Sequence, residues 1–389
     1  MNVVIVIPTY NEKENIGNLI TILEEDVFPK IKNHKMSILV ADDTSPDGTA
    51  DIVKNLAKQW KNIELSIGEK KGLGAAYIRG MTYAIDHMKA DVLFEIDADG
   101  QHNPHKIPEF LEKIDEGYDM VVGTRYSAGG GIPRNWGVKR KIYSVMGNLL
   151  IRSILMRFYI HDWTGGYRAI KKEVFLTVKN KVKKYKGYTF QVAFLHKVVQ
   201  EKFTVAEVPF QFEDRTMGKS KIAPVETIAD ILRYIIKERV IELRYSPFMK
   251  YAITGFIGYL INAISLEFFA DIIHMHPFFA ALFAAELAII WNFVVNNSWA
   301  FANHKIESSS LALFKFIQFN LVSLGSVLIN SSIIFIATHI FGNTPIVRQI
   351  ALIIAVGFFV VPYSYTMYNI FIWKRWKISF LSKLQDLVG

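Results

Sequence analysis

Two aspartates one residue apart, Asp97 and Asp99 in the stretch "EIDADGQHNP" (95–104), follow the apolar run "DVLF", and Gln101 lies two positions further on. Glu95 adds a third carboxylate to the same short segment. Like charges packed this closely repel unless something positive lies between them. Side chains at i and i+2 share one face of an extended chain, so Asp97 and Asp99 can converge on one ion. All-oxygen ligands suit Mg²⁺ or Mn²⁺, whereas zinc favours the sulfur and nitrogen donors that a chain without cysteine only half supplies. The other reading of an isolated D-x-D is a solvated acidic turn, so the surroundings must decide.

Elements have to position these residues. Through about the first 245 residues, short β-rich runs ("NVVIVIP", "MSILVADD", "IELSIG", "ADVLFEIDAD", "DMVVGTR") alternate, at least early on, with amphipathic segments. That order predicts an α/β domain with a mostly parallel sheet and helices on both faces, in which ligands gather beyond the carboxyl ends of the strands. "PTYNE" (8–12), "DDTSPDGT" (42–49) and "DADGQ" (97–101) all fall there. Three strand ends facing one crevice favour the metal over the acidic turn. "KKGLGAAYIRG" (70–80) puts Gly72 and Gly74 at an expected helix start, with free N–H groups and a basic side chain near a diphosphate; close helix packing explains the same glycines. Asp42 and Asp43 can accept hydrogen bonds from a base or ribose, while Thr44, Ser45 and Asp47 suit a turn and a helix cap.

Composition divides the chain. Of 389 residues, most charged ones precede about residue 245, and long apolar runs follow. A 51% hydrophobic chain of net charge +9 suits a basic part lying on an anionic membrane or binding phosphorylated substrates. Nucleic acid is not expected as a partner, since no basic low-complexity tail or nucleic-acid motif occurs. The absence of cysteine excludes a disulfide scaffold. "VVIVI" is too short for a signal sequence and reads as a first strand. Residues 137–158 carry apolar side chains at 142, 145, 146, 149, 150 and 154 among Lys139, Arg140, Lys141 and Arg152, and 226–245 repeats the pattern. Both read as basic amphipathic helices on the bilayer surface, although a core-facing helix has a similar pattern. Four spans are expected in 246–389, at about 249–270, 277–300, 314–340 and 347–372. Lys305 and the "KRWK" tail place both termini and the first domain on the cytosolic side of a cell membrane. Glu286 within a span is either functional or paired with a neighbour's asparagine or histidine.

Together these segments resemble family 2 glycosyltransferases of the GT-A fold, a Rossmann-like architecture, and within them the dolichyl-phosphate mannose synthases. The likeness covers 1–225 through "VVIPTYNEKENI", "DDTSPDGT", "KGLGAAYIRG", "DADGQHNP", "GTRY", "KRKIYSVMGN", "DWTGGYRA", "GYTFQ" and "EVPFQFEDRTMGKSKI". The segment beyond 246 looks like the four-helix membrane proteins that accompany such transferases, especially through "WNFVVNNSWAF" (291–301). The resemblance implies a nucleotide pocket of Pro8, Tyr10, Glu12 and Asp42, with Lys71 also binding the donor. It implies a metal and diphosphate site of Asp97, Ala98, Asp99 and Gln101, and phosphate handling by Arg125, Arg140, Ser144, Arg215 and Lys221. Of these, Asp99, Arg125, Arg140 and Ser144 are the expected catalytic group. It also implies GDP-mannose as donor, dolichyl or another polyprenyl phosphate as acceptor, and membrane lipids around the second domain.

The chemistry is consistent with that. Expelling a nucleoside diphosphate needs a metal and basic side chains to absorb charge, not a general acid, whereas a glycosidase needs two opposed carboxylates. A phosphate monoester, with a second pKa of about 6, is a ready nucleophile and needs no base. Attack opposite the leaving group converts an α-linked donor into a β-linked product. "DWTGGYR" (162–168) suits a tight loop under the sugar or an ordinary turn, and "SAGGG" (127–131) reads as a mobile loop that admits an acceptor. Three competing readings are UDP-glucose as donor, a lipid-linked sugar flippase, and a processive polysaccharide synthase; the last lacks a "QxxRW"-like motif.

Overall fold

The structure, a computed structural model, describes residues 1–213 and 225–376, which fall into two compact units, Met1–Arg239 and Val240–Gly389. In the first unit the apolar run of β1 (Asn2–Thr9) is buried on both faces, as a central parallel strand requires. It pairs in parallel with β2 (Lys35–Asp42) on one side and β4 (Val92–Glu95) on the other. With β3 (Ile63–Ile67), β5 (Met120–Thr124), β6 (Arg168–Lys171) and β7 (Val205–Pro209) they form a seven-stranded sheet of order β3-β2-β1-β4-β6-β5-β7. All pairings are parallel except those of β6, which runs antiparallel between β4 and β5. The sequence patterns predict the first five strands and miss β6 and β7. At the end of 127–131, Gly131 donates to Phe210 O and accepts from Phe212 N, at 3.1 and 3.0 Å, so the backbone there extends the β5/β7 pairing.

Helices cover both faces. α1 (Ile16–Thr21), α2 (Thr49–Gln59) and α4 (Ile107–Asp115) bury Ile16, Val53, Ile107 and Phe110 against one. α3 (Leu73–Asp86), α5 (Val138–Leu155), α6 (Lys172–Val182), α7 (Gly187–Gln200) and α8 (Val225–Arg244) pack on the other through Tyr77, Ile151, Phe175, Phe194 and Ile235. Gly72, at φ 97°, turns the chain into α3, a conformation that favours glycine. Gly80 lets that helix lie directly on the sheet: a Cβ there would come within 2.7 Å of Val6 Cγ1 and 3.1 Å of Ala41 Cβ. Gly80→Val is expected to lower stability by about 1–3 kcal/mol through overpacking, read as a fall in the thermal unfolding midpoint. Of the apolar residues on α5, Ile142, Val145, Met146, Leu149 and Leu150 are exposed, and only Ile151 and Leu155 are buried, beside the polar Asn148.

In the second unit Ser246 caps α9 (Pro247–Glu267) by accepting from Met249 N, with Pro247 in the first turn. α10 (Pro277–Val295), α11 (Ser309–Phe341), α12 (Pro345–Ile354) and α13 (Val361–Met367) follow. Among the described residues three helical stretches are long and apolar enough to cross a membrane: Pro247–Ile272, Ser309–Phe341 and Gln349–Ile372. The remaining expected stretch, 277–300, is helical through α10 and Asn296–Ala300. The "WNFVVNNSWAF" segment is a packing motif. Asn297 Oδ1 accepts from Ile306 N and Trp373 Nε1, and Phe301 stacks on Trp373 at 4.2 Å. Lys315, buried in α11, donates to Gln318 Oε1 and Phe371 O, which accounts for a charge inside an apolar stretch.

Candidate active site

A cleft of about 350 Å³ opens at the carboxyl ends of β1, β2 and β4. Pro8, Thr9, Tyr10 and Glu12 line it from beyond β1, Asp43 from beyond β2, and Asp97, Ala98 and Asp99 from beyond β4. Lys70, Gly72, Leu73 and Ala76 close it from the start of α3, and Gly187 and Tyr188 from the start of α7. Two residues that shape the turns here, Asn11 and Thr44, hold positive φ values of 59° and 55°. For a β-branched residue such as Thr44 that conformation is strained, and strain of this kind gathers at functional sites.

Asp97 and Asp99 both reach the cleft. Asp97 Oδ1 accepts from Tyr77 Oη at 3.1 Å, and Asp99 Oδ1 accepts from Gln101 N at 3.2 Å, closing the turn. Gln101 Nε2 donates to Glu213 O at 3.2 Å. Among the described residues no three His, Cys, Asp or Glu side chains converge, so the site is no closed all-protein cage. Two carboxylates on an open cleft fit a cation that keeps waters and takes phosphate oxygens for its other ligands, as Mg²⁺ does. His102 stacks on Tyr167 at 4.9 Å, and its Nδ1 accepts from Asp97 N. Burial pushes its imidazole down to about 4, so it stays neutral.

Neighbouring residues divide the remaining roles in ways the sequence leaves open. Asp42 is buried and organises a turn, accepting from Thr9 Oγ1, Ser45 N and Ser45 Oγ at 2.8, 2.8 and 2.6 Å. Asp43 lines the cleft and pairs with Arg79 at 3.0 Å. Lys71 is exposed and pairs with Glu69, whereas Lys70 lines the cleft with its Nζ 3.3 Å from the Tyr10 ring centre.

Arg125, Ser144 and Arg140 do not line this cleft. Arg125 forms a two-pronged pair with buried Asp162, Nε to Oδ2 at 2.6 Å and Nη2 to Oδ1 at 2.8 Å, and also donates to Thr164 Oγ1. Burial alone would raise the Asp162 carboxyl, but the Arg125 guanidinium and backbone N–H donors hold it below the usual range. Ser144 Oγ meets Tyr126 Oη at 2.5 Å, and Arg140 lies over the Trp136 ring at 3.6 Å. Asn148, the last residue of "KRKIYSVMGN", ties α5 to the same loop: its Oδ1 accepts from Trp163 N at 2.7 Å. The loop 162–168 joins the two groups. A Cβ on Gly166 would sit 3.8 Å from Asp97 Oδ2, and Tyr167 Oη donates to Asn103 O at 2.7 Å. Arg215 and Lys221 lie outside the described residues.

The comparisons with known proteins match this division. Residues 4–178 match the model of glycosyl transferase family 2, and residues 250–373 match the GtrA/DPMS transmembrane domain. The chain is 37% identical over 221 residues to the polyprenol monophosphomannose synthase of Mycolicibacterium smegmatis, covering 56% of this chain and 80% of that protein. It is 31% identical over 363 residues to the dolichol-phosphate mannosyltransferase of Pyrococcus furiosus, covering 92% and 96%. It is 36% identical over 224 residues to the undecaprenyl-phosphate mannosyltransferase of Micrococcus luteus, covering 57% and 88%. A mostly parallel sheet carrying an acidic cleft at its strand ends, joined to a multi-pass membrane domain and matched over nearly its whole length, leaves one assignment: the chain is a glycosyltransferase that belongs to glycosyl transferase family 2, fused to a GtrA/DPMS transmembrane domain.

Proposed function

We propose that this enzyme transfers mannose from GDP-mannose to dolichyl phosphate or a similar polyprenyl phosphate, with inversion, giving a β-linked mannosyl phosphate lipid and GDP. The observation that carries the proposal is the cleft that brings Tyr10, Glu12, Asp43, Asp97 and Asp99 together at three strand ends. Mannose and a polyprenyl phosphate are the sugar and acceptor class in the names of all three relatives.

An acceptor phosphate oxygen attacks the anomeric carbon as its bond to the diphosphate oxygen breaks, and the electron pair leaves with GDP. The acceptor is already largely anionic near neutral pH, its second pKa being about 6, so no base is needed. Asp97 and Asp99, with Gln101 behind Asp99, would hold a divalent cation, which when bound supplies positive charge to the departing diphosphate. Pro8, Tyr10, Glu12 and Asp43 bind the nucleoside, and Lys70 adds a cation at the same wall. Arg125, Arg140 and Ser144, with Arg215 and Lys221, are assigned to the acceptor phosphate. Asp162 and Thr164 already engage Nε and Nη2 of Arg125, so its Nη1 is the group left for a ligand. The exposed apolar face of α5 suits the bilayer surface, where a lipid phosphate lies. Residues 246–389 are assigned four crossings, with both termini and the first unit in the cytosol.

Transfer of radiolabelled sugar into organic-extractable lipid by purified protein tests this, with GDP-mannose and UDP-glucose compared as donors on dolichyl and undecaprenyl phosphates. Mannolipid from GDP-mannose that vanishes with EDTA is the expected result. Glucolipid alone would move the donor to UDP-glucose, and no lipid product from either would return the flippase reading.

A further inference from the structure

Four polar side chains are buried around Asp97: Tyr77 on α3, Glu95 on β4, Arg168 on β6 and Gln191 on α7. Tyr77 Oη donates to Asp97 Oδ1 at 3.1 Å. Glu95 precedes Asp97 by two residues and stands directly opposite Arg168 in the β4/β6 ladder, with Nε 4.0 Å from Oε2. Arg168 Nη2 donates to the backbone oxygen of Gln191 at 3.0 Å. Yet Nε and Nη1 of Arg168 have no hydrogen-bond partner among the described residues, and the Gln191 amide approaches the Glu95 carboxylate without good hydrogen-bond geometry. Buried polar groups left this way are rare and disfavour folding, so each calls for an explanation. Glu95 and Arg168 thus meet across the β4/β6 ladder two residues before Asp97, where β4 ends beneath the cleft.

We infer that Tyr77, Glu95 and Arg168 are positioning residues: the tyrosine hydroxyl fixes the orientation of the Asp97 carboxylate, and the Glu95–Arg168 pair fixes the end of β4 from which Asp97 projects. The affinity of Asp97 and Asp99 for a divalent cation is then governed from beneath the cleft. This rests on the cation reading given under Proposed function. Outer hydrogen-bond partners orient ligating carboxylates, and their loss typically costs 10–100-fold in metal affinity. α3 thus acts twice, lining the cleft with its first turn and steering Asp97 from its second.

The test is titration of the full-length protein with Mn²⁺ in the presence of GDP, followed by electron paramagnetic resonance. Tyr77→Phe removes one hydroxyl and is expected to weaken Mn²⁺ binding about tenfold with little change in unfolding midpoint. Tyr83→Phe, which loses a similar bond to Glu64 on the same helix away from the cleft, is expected to leave the affinity unchanged. Glu95→Gln is a second variant should Tyr77→Phe fold poorly; it breaks the pair with Arg168 at the end of β4 and should weaken binding as well. Wild-type affinity in folded Tyr77→Phe and Glu95→Gln would overturn the inference alone. If the wild-type protein bound no Mn²⁺ with GDP present, the cation reading would fall and the inference with it.

Discussion

Asp99→Asn is expected to lose mannosyl transfer by at least about a hundredfold, more than is usual when only an outer partner of a metal site is removed. Asp99 is buried beside the cleft, and its Oδ1 also accepts from Gln101 N to close the turn. Alanine would remove both the charge and the turn acceptor, so its effect would not separate chemistry from shape. Asparagine keeps the acceptor and removes only the charge. Steady-state transfer from GDP-mannose, measured with an Mn²⁺ titration, is the assay. The expected variant folds with an unfolding midpoint within a few degrees of the wild type yet stays inactive at saturating Mn²⁺. Activity near the wild-type level would mean that the carboxylate charge is not what the reaction uses, and the acidic turn would then be a structural device.

Asp162→Asn is expected to destabilise the first unit by about 3–5 kcal/mol, the usual cost of leaving one member of a buried ion pair uncompensated. Arg125 is largely buried and turns two of its nitrogens onto Asp162, so the variant strands a guanidinium away from water. The loss should appear as a fall in thermal midpoint of the order of 10 °C for a unit of this size. Asp162→Asn combined with Arg125→Met should recover part of that loss, because replacing both charges removes the desolvation penalty. The pair also predicts an acid limb. The folded-state pKa of Asp162 is depressed below its unfolded value of about 3.9, so its contribution is fully present above that value. It is lost progressively as pH falls below about 4 towards the folded pKa. Wild-type midpoints should therefore decline on acidification more steeply than those of the double variant. Equal slopes would show that other carboxylates govern the acid response.

The strands differ in how plainly the sequence announces them. β1, β2 and β4 are continuous apolar runs, which is what burial on both faces demands, and their ends carry the polar signatures that meet at the cleft. β6 is the four residues "RAIK", with two basic side chains, and no propensity marks it. It becomes a strand because Arg168 finds Glu95 across the ladder and because the loop before it is anchored at Asp162 and Tyr167. β7, "VAEVP", spends its glutamate on His161 N and Asp162 N, partners that lie 45 or more residues earlier. Such long-range partners leave no local trace.

Composition and ordered motifs by themselves determined a charged α/β domain followed by an apolar helical one, a D-A-D acidic pair at a strand end, and a glycosyltransferase of this family. Which member of each adjacent pair meets the cleft was decided only by the tertiary structure: Asp43 over Asp42, and Lys70 over Lys71. Successive side chains point to opposite sides of an extended backbone, and where a strand gives way to a turn the phase depends on local dihedral angles such as the positive φ of Thr44. The pairing of Arg125 with Asp162 and the burial of Tyr77, Glu95 and Arg168 under Asp97 are tertiary for the same kind of reason. A charge's role depends on what lies within a few ångströms of it, and here those partners come from distant parts of the chain.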